Sequence, residues 1–193
     1  LADGYFIIPY TIGSYLAEAS SEKIDEDHKE FNMSYQKVEA RIKKLISIEG
    51  KRTVDNFHRE LGNILWEYCG MSRNNNGLKK AKKLIKDLRA EYWENVLVGG
   101  SDQDFNQSLE RAWRVADFLE FGELMVTDAL ERQESCGGHF NEKFQTGENE
   151  ALRDDKHFCH VSAWEFNGDK RKPKFHKEPL TFENVELTQR SYK

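Results

Sequence analysis

VDNFHRELGNILWEY, residues 54–68, places apolar side chains at Val54, Phe57, Leu61, Ile64 and Tyr68, spaced three, four, three and four. That period gathers all five on one face of an α-helix. A stripe this narrow does not support a helix alone in water; other helices must cover it. Matching stripes lie on either side. Phe31, Tyr35, Val38, Ile42 and Leu45 precede it; Leu78, Ala81, Ile85, Leu88 and Tyr92 follow; Phe105, Leu109, Ala112, Ala116 and Leu119 form a fourth. The fourth pattern runs on through Val126 to Leu130 and predicts the longest helix, from about 103 to 134, roughly 45 Å at 1.5 Å per residue.

The connectors are short and rich in breakers. Gly50 ends the first of these helices. Gly70 and Asn74-Asn75-Asn76-Gly77 separate the second from the third, and Gly99-Gly100-Ser101-Asp102 the third from the fourth, with Ser101 or Asp102 as the expected N-cap. Short connectors imply antiparallel neighbours. The fold expected is mainly α: an antiparallel up-and-down bundle of three helices, spectrin-repeat-like, plus an extra N-terminal helix and a small C-terminal β-hairpin. The hairpin is read from HFCHVSAWEF (157–166), a turn at Asn167-Gly168-Asp169, and KFHKEPLTF (174–182), with Pro179 marking an edge strand.

Ahead of the bundle, Tyr5, Phe6, Ile7, Ile8, Tyr10, Ile12, Tyr15, Leu16 and Ala17 lie all round a helix that Pro9 would help to start. Such a helix is expected to be buried on every side. The chain opens on Leu1 with neither a basic n-region nor a cleavage site. It is therefore expected to be a piece of a longer polypeptide, with the cover for residues 5–19 elsewhere.

Composition narrows the classes. The 193 residues are 38% hydrophobic and 33% charged, with a net charge of −5, which argues against nucleic acid held by bulk charge. Three cysteines are too few for a disulfide framework. No apolar run reaches the roughly 18 residues of a spanning helix, so the chain is read as soluble, without direct membrane insertion. Lys79, Lys80, Lys82, Lys83, Lys86 and Arg89 read as a solvated face opposite the apolar stripe.

Chemically capable residues cluster where the long helix stops, in ALERQESCGGHF (129–140). Cys136-Gly-Gly-His139 has metal-ligand spacing, and His157, Cys159 and His160 could add ligands. On a strand, however, His157 and Cys159 face opposite to His160, so the set does not converge. Cys136 with His139 also reads as nucleophile and base, but the negative end of a helix dipole disfavours a thiolate there. No catalytic, cofactor-binding or metal residue is assigned on these grounds. Glycine-rich phosphate loops are absent.

ALERQESCGGHFNEKF and LRDDKHFCHV resemble the C-terminal region of succinate dehydrogenase and fumarate reductase flavoprotein subunits. There the long helix ends in a segment like A-L-x-R-x-E-S-R-G-A-H, later followed by R-D-D. Ala129, Leu130, Arg132, Glu134, Ser135, Gly137 and His139 match, as do Arg153, Asp154 and Asp155. Gly70 and Arg73 match an upstream G-x-x-R. The sequence departs from the pattern at Cys136, where the family has arginine, and at Asn141-Glu142-Lys143, where it has R-E-D. QTGENEAL is an insertion before Arg153.

The resemblance implies an intact subunit that binds FAD and interconverts succinate and fumarate. Its electrons would pass to an iron–sulfur subunit and a membrane cytochrome b subunit, at the cytoplasmic face of the inner membrane. It implies no FAD and no catalysis in this stretch. Residues 1–22 would belong to the flavin-binding domain, 23–135 to the helical bundle and 136–193 to a loop and β-containing tail. Arg132, Glu134, Ser135, His139, Arg153, Asp154 and Asp155 would form a family signature and a possible subunit interface. L-aspartate oxidase, which shares this bundle, is the nearest alternative; an autonomous helical interaction module is another.

Overall fold

A computed structural model describes residues 1–20, 23–168, 171–189 and 191. The chain divides into two compact units, Leu1–Arg41 and Ile42–Lys193.

In the first unit, π-helical turns at Asp3–Ile7 and Thr11–Tyr15 alternate with short α turns, α1 (Ile8–Tyr10) and α2 (Leu16–Glu18). Pro9 sits in the first turn of α1 as expected. Tyr5, Phe6, Tyr10 and Tyr15 are all exposed in this chain. Helix α3 (Lys29–Ser47) begins in this unit and ends in the second. The stripe predicted along it is only partly used. Phe31, Tyr35 and Val38 are exposed, whereas Leu45 is fully buried.

The second unit is built on α4 (Val54–Cys69), α5 (Asn75–Asn95) and α6 (Gln107–Glu131). Their facing stripes make one core: Phe57, Leu61 and Ile64 from α4; Leu78, Ala81, Ile85, Leu88 and Tyr92 from α5; Ala112, Ala116, Leu119 and Val126 from α6. Alternating long and short side chains let the helices approach closely. At Gly122, a Cβ would lie 3.2 Å from a Leu61 methyl. Phe57 meets Tyr92 edge to face with ring centroids 5.1 Å apart. The Tyr92 hydroxyl donates to the Ala112 carbonyl, satisfying a buried polar group.

The ends of the helices show their directions. β1 (Arg52–Thr53) enters α4 and pairs in parallel with β2 (Val96–Leu97), which leaves α5. The start of α4 and the end of α5 therefore share one end of the bundle, so the two helices run antiparallel. At the other end, Asn75, which opens α5, donates to Gln133 just after α6. Helices α5 and α6 are thus antiparallel too, giving the up-and-down order predicted.

Boundaries follow the capping side chains. Thr53 accepts from the Asn56 N–H and Asn74 from the Gly77 N–H. The Asn74–Gly77 run is therefore the opening turn of α5. Neither Ser101 nor Asp102 caps α6; Asn106 does, accepting from the Leu109 N–H while its amide donates to the carbonyls of Gly99 and Ser101. Phe105 consequently lies outside the helix and is 88% exposed. The observed 25 residues span about 37 Å at 1.5 Å each, shorter than expected.

In the tail, a single helical turn, α7 (Asp155–Phe158), occupies the beginning of the segment predicted as strand. Strand β3 (His160–Glu165) pairs antiparallel with β4 (Lys174–Pro179) in the hairpin expected, and β4 stops at Pro179. Gly168 adopts φ +96° at the expected turn; Asp169 lies outside the described residues.

Candidate functional site

Helix α6 ends at Glu131, and the next ten residues are tied to two distant segments, 73–75 and 152–158. Arg132 leaves the helix with extended backbone and turns its guanidinium onto Glu134, Nε to Oε1 at 2.8 Å, and onto the Phe158 carbonyl at 3.0 Å. The second Glu134 oxygen accepts the Asp154 backbone N–H at 2.9 Å. Glu134 is only 2% exposed, so both carboxylate oxygens are spent inside the protein. Burial of a charge is tolerable when it is paired and hydrogen-bonded in this way.

Ser135 is fully buried beside it. Its hydroxyl accepts the Asn141 N–H at 2.9 Å and donates to the Asn141 carbonyl at 3.1 Å, while its own N–H donates to Leu152. The loop between doubles back as a tight turn. Cys136 and His139 exchange backbone hydrogen bonds, and Gly137 takes φ +58°, a left-handed conformation glycine adopts without strain.

His139 is held at both ring nitrogens. Nε2 lies 2.9 Å from the Arg132 carbonyl, so it carries the proton and donates. Nδ1 lies 2.8 Å from Nη1 of Arg73 and accepts. Burial pushes the His139 proton affinity below the ordinary imidazole value, and the Arg73 and Arg132 charges push it lower, against the Arg132 carbonyl bond and Asp128. A neutral imidazole with its lone pair taken by Arg73 has none to offer Cys136 as a base. The nucleophile–base reading therefore has no geometry behind it.

Arg73 reaches this turn from the α4–α5 connector. Its Nε donates to the carbonyls of Cys69 and Gly70 at the end of α4. Its backbone pairs with the returning loop, N–H to Phe140 and carbonyl to Glu142. Asn141, buried, also reaches Asn75 on α5 at 3.2 Å. Asp128, one turn back on α6, accepts the Trp164 indole N–H of β3 at 2.7 Å.

Arg132 thus links Glu134 and His139, Glu134 also holds the Asp154 N–H, and Ser135 beside them ties Asn141 and Leu152. Arg153 and Asp155 form a separate bidentate pair, at 2.9 and 2.7 Å, with Arg153 also donating to Thr188. That pairing raises the Arg153 pKa further. The Asp154 carboxylate turns out to His157, whose hydrogen bond holds it below the usual carboxylate range. Asn141 and Asp128 were missed from the sequence: an Asn in a polar loop and an Asp on a helix carry no local signal of burial or of a distant partner.

The suggested metal ligands do not gather. His157 is engaged with Asp154, Cys159 faces the Leu180 carbonyl, and His160 packs among Phe158 and Phe175. Among the described residues no group of three His, Cys, Asp or Glu side chains is placed to hold a metal ion. No described helix is long and apolar enough to cross a membrane. On the basic face of α5, Lys80 lies over the Tyr68 ring and Arg89 pairs with Glu123.

Three antiparallel helices, the last of which runs into the cluster of Arg132, Glu134, Ser135 and His139 and on to a β-hairpin tail, make up a helical domain. The chain belongs to the family described as fumarate reductase flavoprotein C-term, which matches residues 58–192. Among curated relatives, the fumarate reductase flavoprotein subunit of Haemophilus influenzae is 25% identical over 127 residues, covering 66% of this chain and 21% of that protein. A chloroplastic L-aspartate oxidase of Oryza sativa is 38% identical over 85 residues, 44% of this chain and 13% of that one. Among solved structures, E. coli quinol fumarate reductase superposes with a TM-score of 0.73 at 20% identity, over 90% of this chain and 28% of that chain. The chain spans about a quarter or less of the curated relatives it matches.

Proposed function

We propose that this chain forms the C-terminal helical domain of a FAD-dependent flavoprotein that interconverts succinate and fumarate, its electrons passing to an iron–sulfur subunit and on to a membrane cytochrome b subunit. The observation that carries this reading is the family match, which takes in the bundle from early α4 through the α6 terminus and the tail. The domain would work by packing. The exposed aromatic residues of segment 1–22 would lie against the flavin-binding domain, and Arg132, Glu134, Ser135, His139, Arg153, Asp154 and Asp155 would lie at or beneath the surface facing the iron–sulfur subunit. The assembly would sit peripherally at the cytoplasmic face of the inner membrane.

FAD does not fit the residues present. The described residues hold no glycine-rich phosphate loop, and the cleft beside α6, about 300 Å³, is small for a dinucleotide. No step through the flavin is assigned to these side chains. A second reading rests on the higher identity, over a shorter stretch, to L-aspartate oxidase.

The test is made on the longest natural polypeptide that contains this chain, purified with its flavin. Bleaching of the flavin absorbance by succinate is expected. Bleaching by L-aspartate instead selects the second reading, and bleaching by neither overturns both. For the surface, Arg153→Glu should reduce co-purification of the iron–sulfur subunit; unchanged recovery rejects that placement.

A further inference from the structure

The cleft beside the end of α6 has a feature that the network around it does not use. It is lined by Cys69, Arg73, Met125, Asp128, Cys136 and His139, and encloses about 300 Å³. We propose that this cleft is a carboxylate-binding subsite organised on the guanidinium of Arg73.

The charges in the cleft differ in how they are met. Arg132 is neutralised by Glu134. Asp128 is occupied by the Trp164 indole. Arg73 has only neutral acceptors: two backbone carbonyls at Nε and the lone pair of His139 at Nη1. No carboxylate among the described residues pairs with it. Glu142, near in sequence space to the same loop, is turned away onto Ser72 and Asn74. A half-buried guanidinium with spare N–H donors and no counter-ion attracts an anion.

The geometry selects the kind of anion. The Nε and Nη1 bonds fix the plane of the guanidinium, and among the described residues no acceptor is bonded to Nη2. A planar carboxylate can accept from Nη2 and from the second Nη1 hydrogen in that plane. Asp128 on the same wall opposes a second negative charge, which disfavours phosphate at neutral pH. Met125, 39% exposed, supplies an apolar flank that continues outward to the exposed Phe121. The ligand is therefore a monocarboxylate with an apolar body, either a free acid or an acidic side chain of a neighbouring polypeptide.

Acetate, acetamide and inorganic phosphate are titrated at constant ionic strength into the ¹⁵N-labelled chain. The Arg73 Nε–H and His139 ring signals are followed by NMR. Acetate is expected to shift both saturably and to raise the His139 titration midpoint, because a bound anion offsets the two arginines. Acetamide and phosphate are expected to leave them unmoved. Arg73→Lys keeps the charge but loses the fork and should weaken acetate at least tenfold. Asp128→Asn leaves Arg73 in place and should let phosphate bind. Absence of a saturable acetate shift, an equal response to acetamide, or undiminished binding in Arg73→Lys overturns the proposal. Repeating the titration on the longer natural polypeptide separates the sources: a persisting acetate shift identifies a free acid as ligand, and loss of the shift identifies a side chain already in place.

Discussion

Replacing Glu134 with glutamine removes one charge and converts one acceptor into a donor, with almost no change in shape. In the native network both carboxylate oxygens accept: one from the Arg132 guanidinium, the other from the Asp154 N–H. Glutamine can serve only one of them, and its amide N–H₂ then faces a second donor. Losing a hydrogen bond to a charged group costs about 1.5–3 kcal/mol, and leaving a buried donor unmet adds about 1–3. Arg132 is 28% exposed at its side chain, so water can partly replace what it loses. The net expectation is about 3 kcal/mol. For a chain of this size that corresponds to a fall of about 6–12 °C in Tm. Urea titration followed by tryptophan fluorescence measures it, since Trp164 hydrogen-bonds to Asp128 within the same assembly. Glu131→Gln, on the exposed side of the same helix end, is the control and should change stability by under about 0.5 kcal/mol. A Glu134→Gln cost below about 1 kcal/mol, or one equal to the control, would refute the view that this carboxylate holds the tail to the bundle.

His139 gives a pH dependence of known sign. Its native proton affinity is depressed, so the unfolded chain binds the proton more readily; the stability it confers is present above about pH 6.5 and declines as pH falls toward the lowered native value. The urea midpoint should therefore drop more between pH 7.5 and 5.5 in the wild type than in His139→Gln, and equal drops would contradict the assignment. Gly50→Ala should destabilise by about 1–3 kcal/mol, because the added Cβ would sit 2.1 Å from the Asn95 carbonyl oxygen and force β1 from β2. Gly62→Ala, with nothing within 4 Å, should instead gain up to about 1 kcal/mol of helix propensity; a thermal melt in which both glycines behave alike would rule out the close approach at Gly50.

The bundle was legible because its information is local. The stripes on α4 and α5 repeat over several turns, and every residue named on α5 is buried as its period requires. The stripe on α3 is just as periodic, yet its first three members are exposed: periodicity says that a face exists and not what covers it. The start of α6 was misplaced because Ser101, Asp102 and Asn106 are all competent caps. Which one serves is decided by the Asn106 amide reaching back to Gly99 and Ser101. At the site, the signature residues were recognisable as a block, but their partners were not. Glu134 meets Asp154 across 20 residues, and His139 meets Arg73 across 66. Nothing in the local chain encodes such pairings. The parallel pairing of β1 with β2 is invisible for the same reason, being two residues long and brought together only by the antiparallel helices that flank it.

Four of the ties that hold the tail converge on one short stretch of the chain. Trp164 is fastened to Asp128, the Phe158 carbonyl to Arg132, the Asp154 amide to Glu134 and the Leu152 carbonyl to the Ser135 amide. Anchors so close together do not open one by one, because loosening the first removes the footing of the next. The tail is thus expected to open as one cooperative unit, with residues 128–135 as its latch.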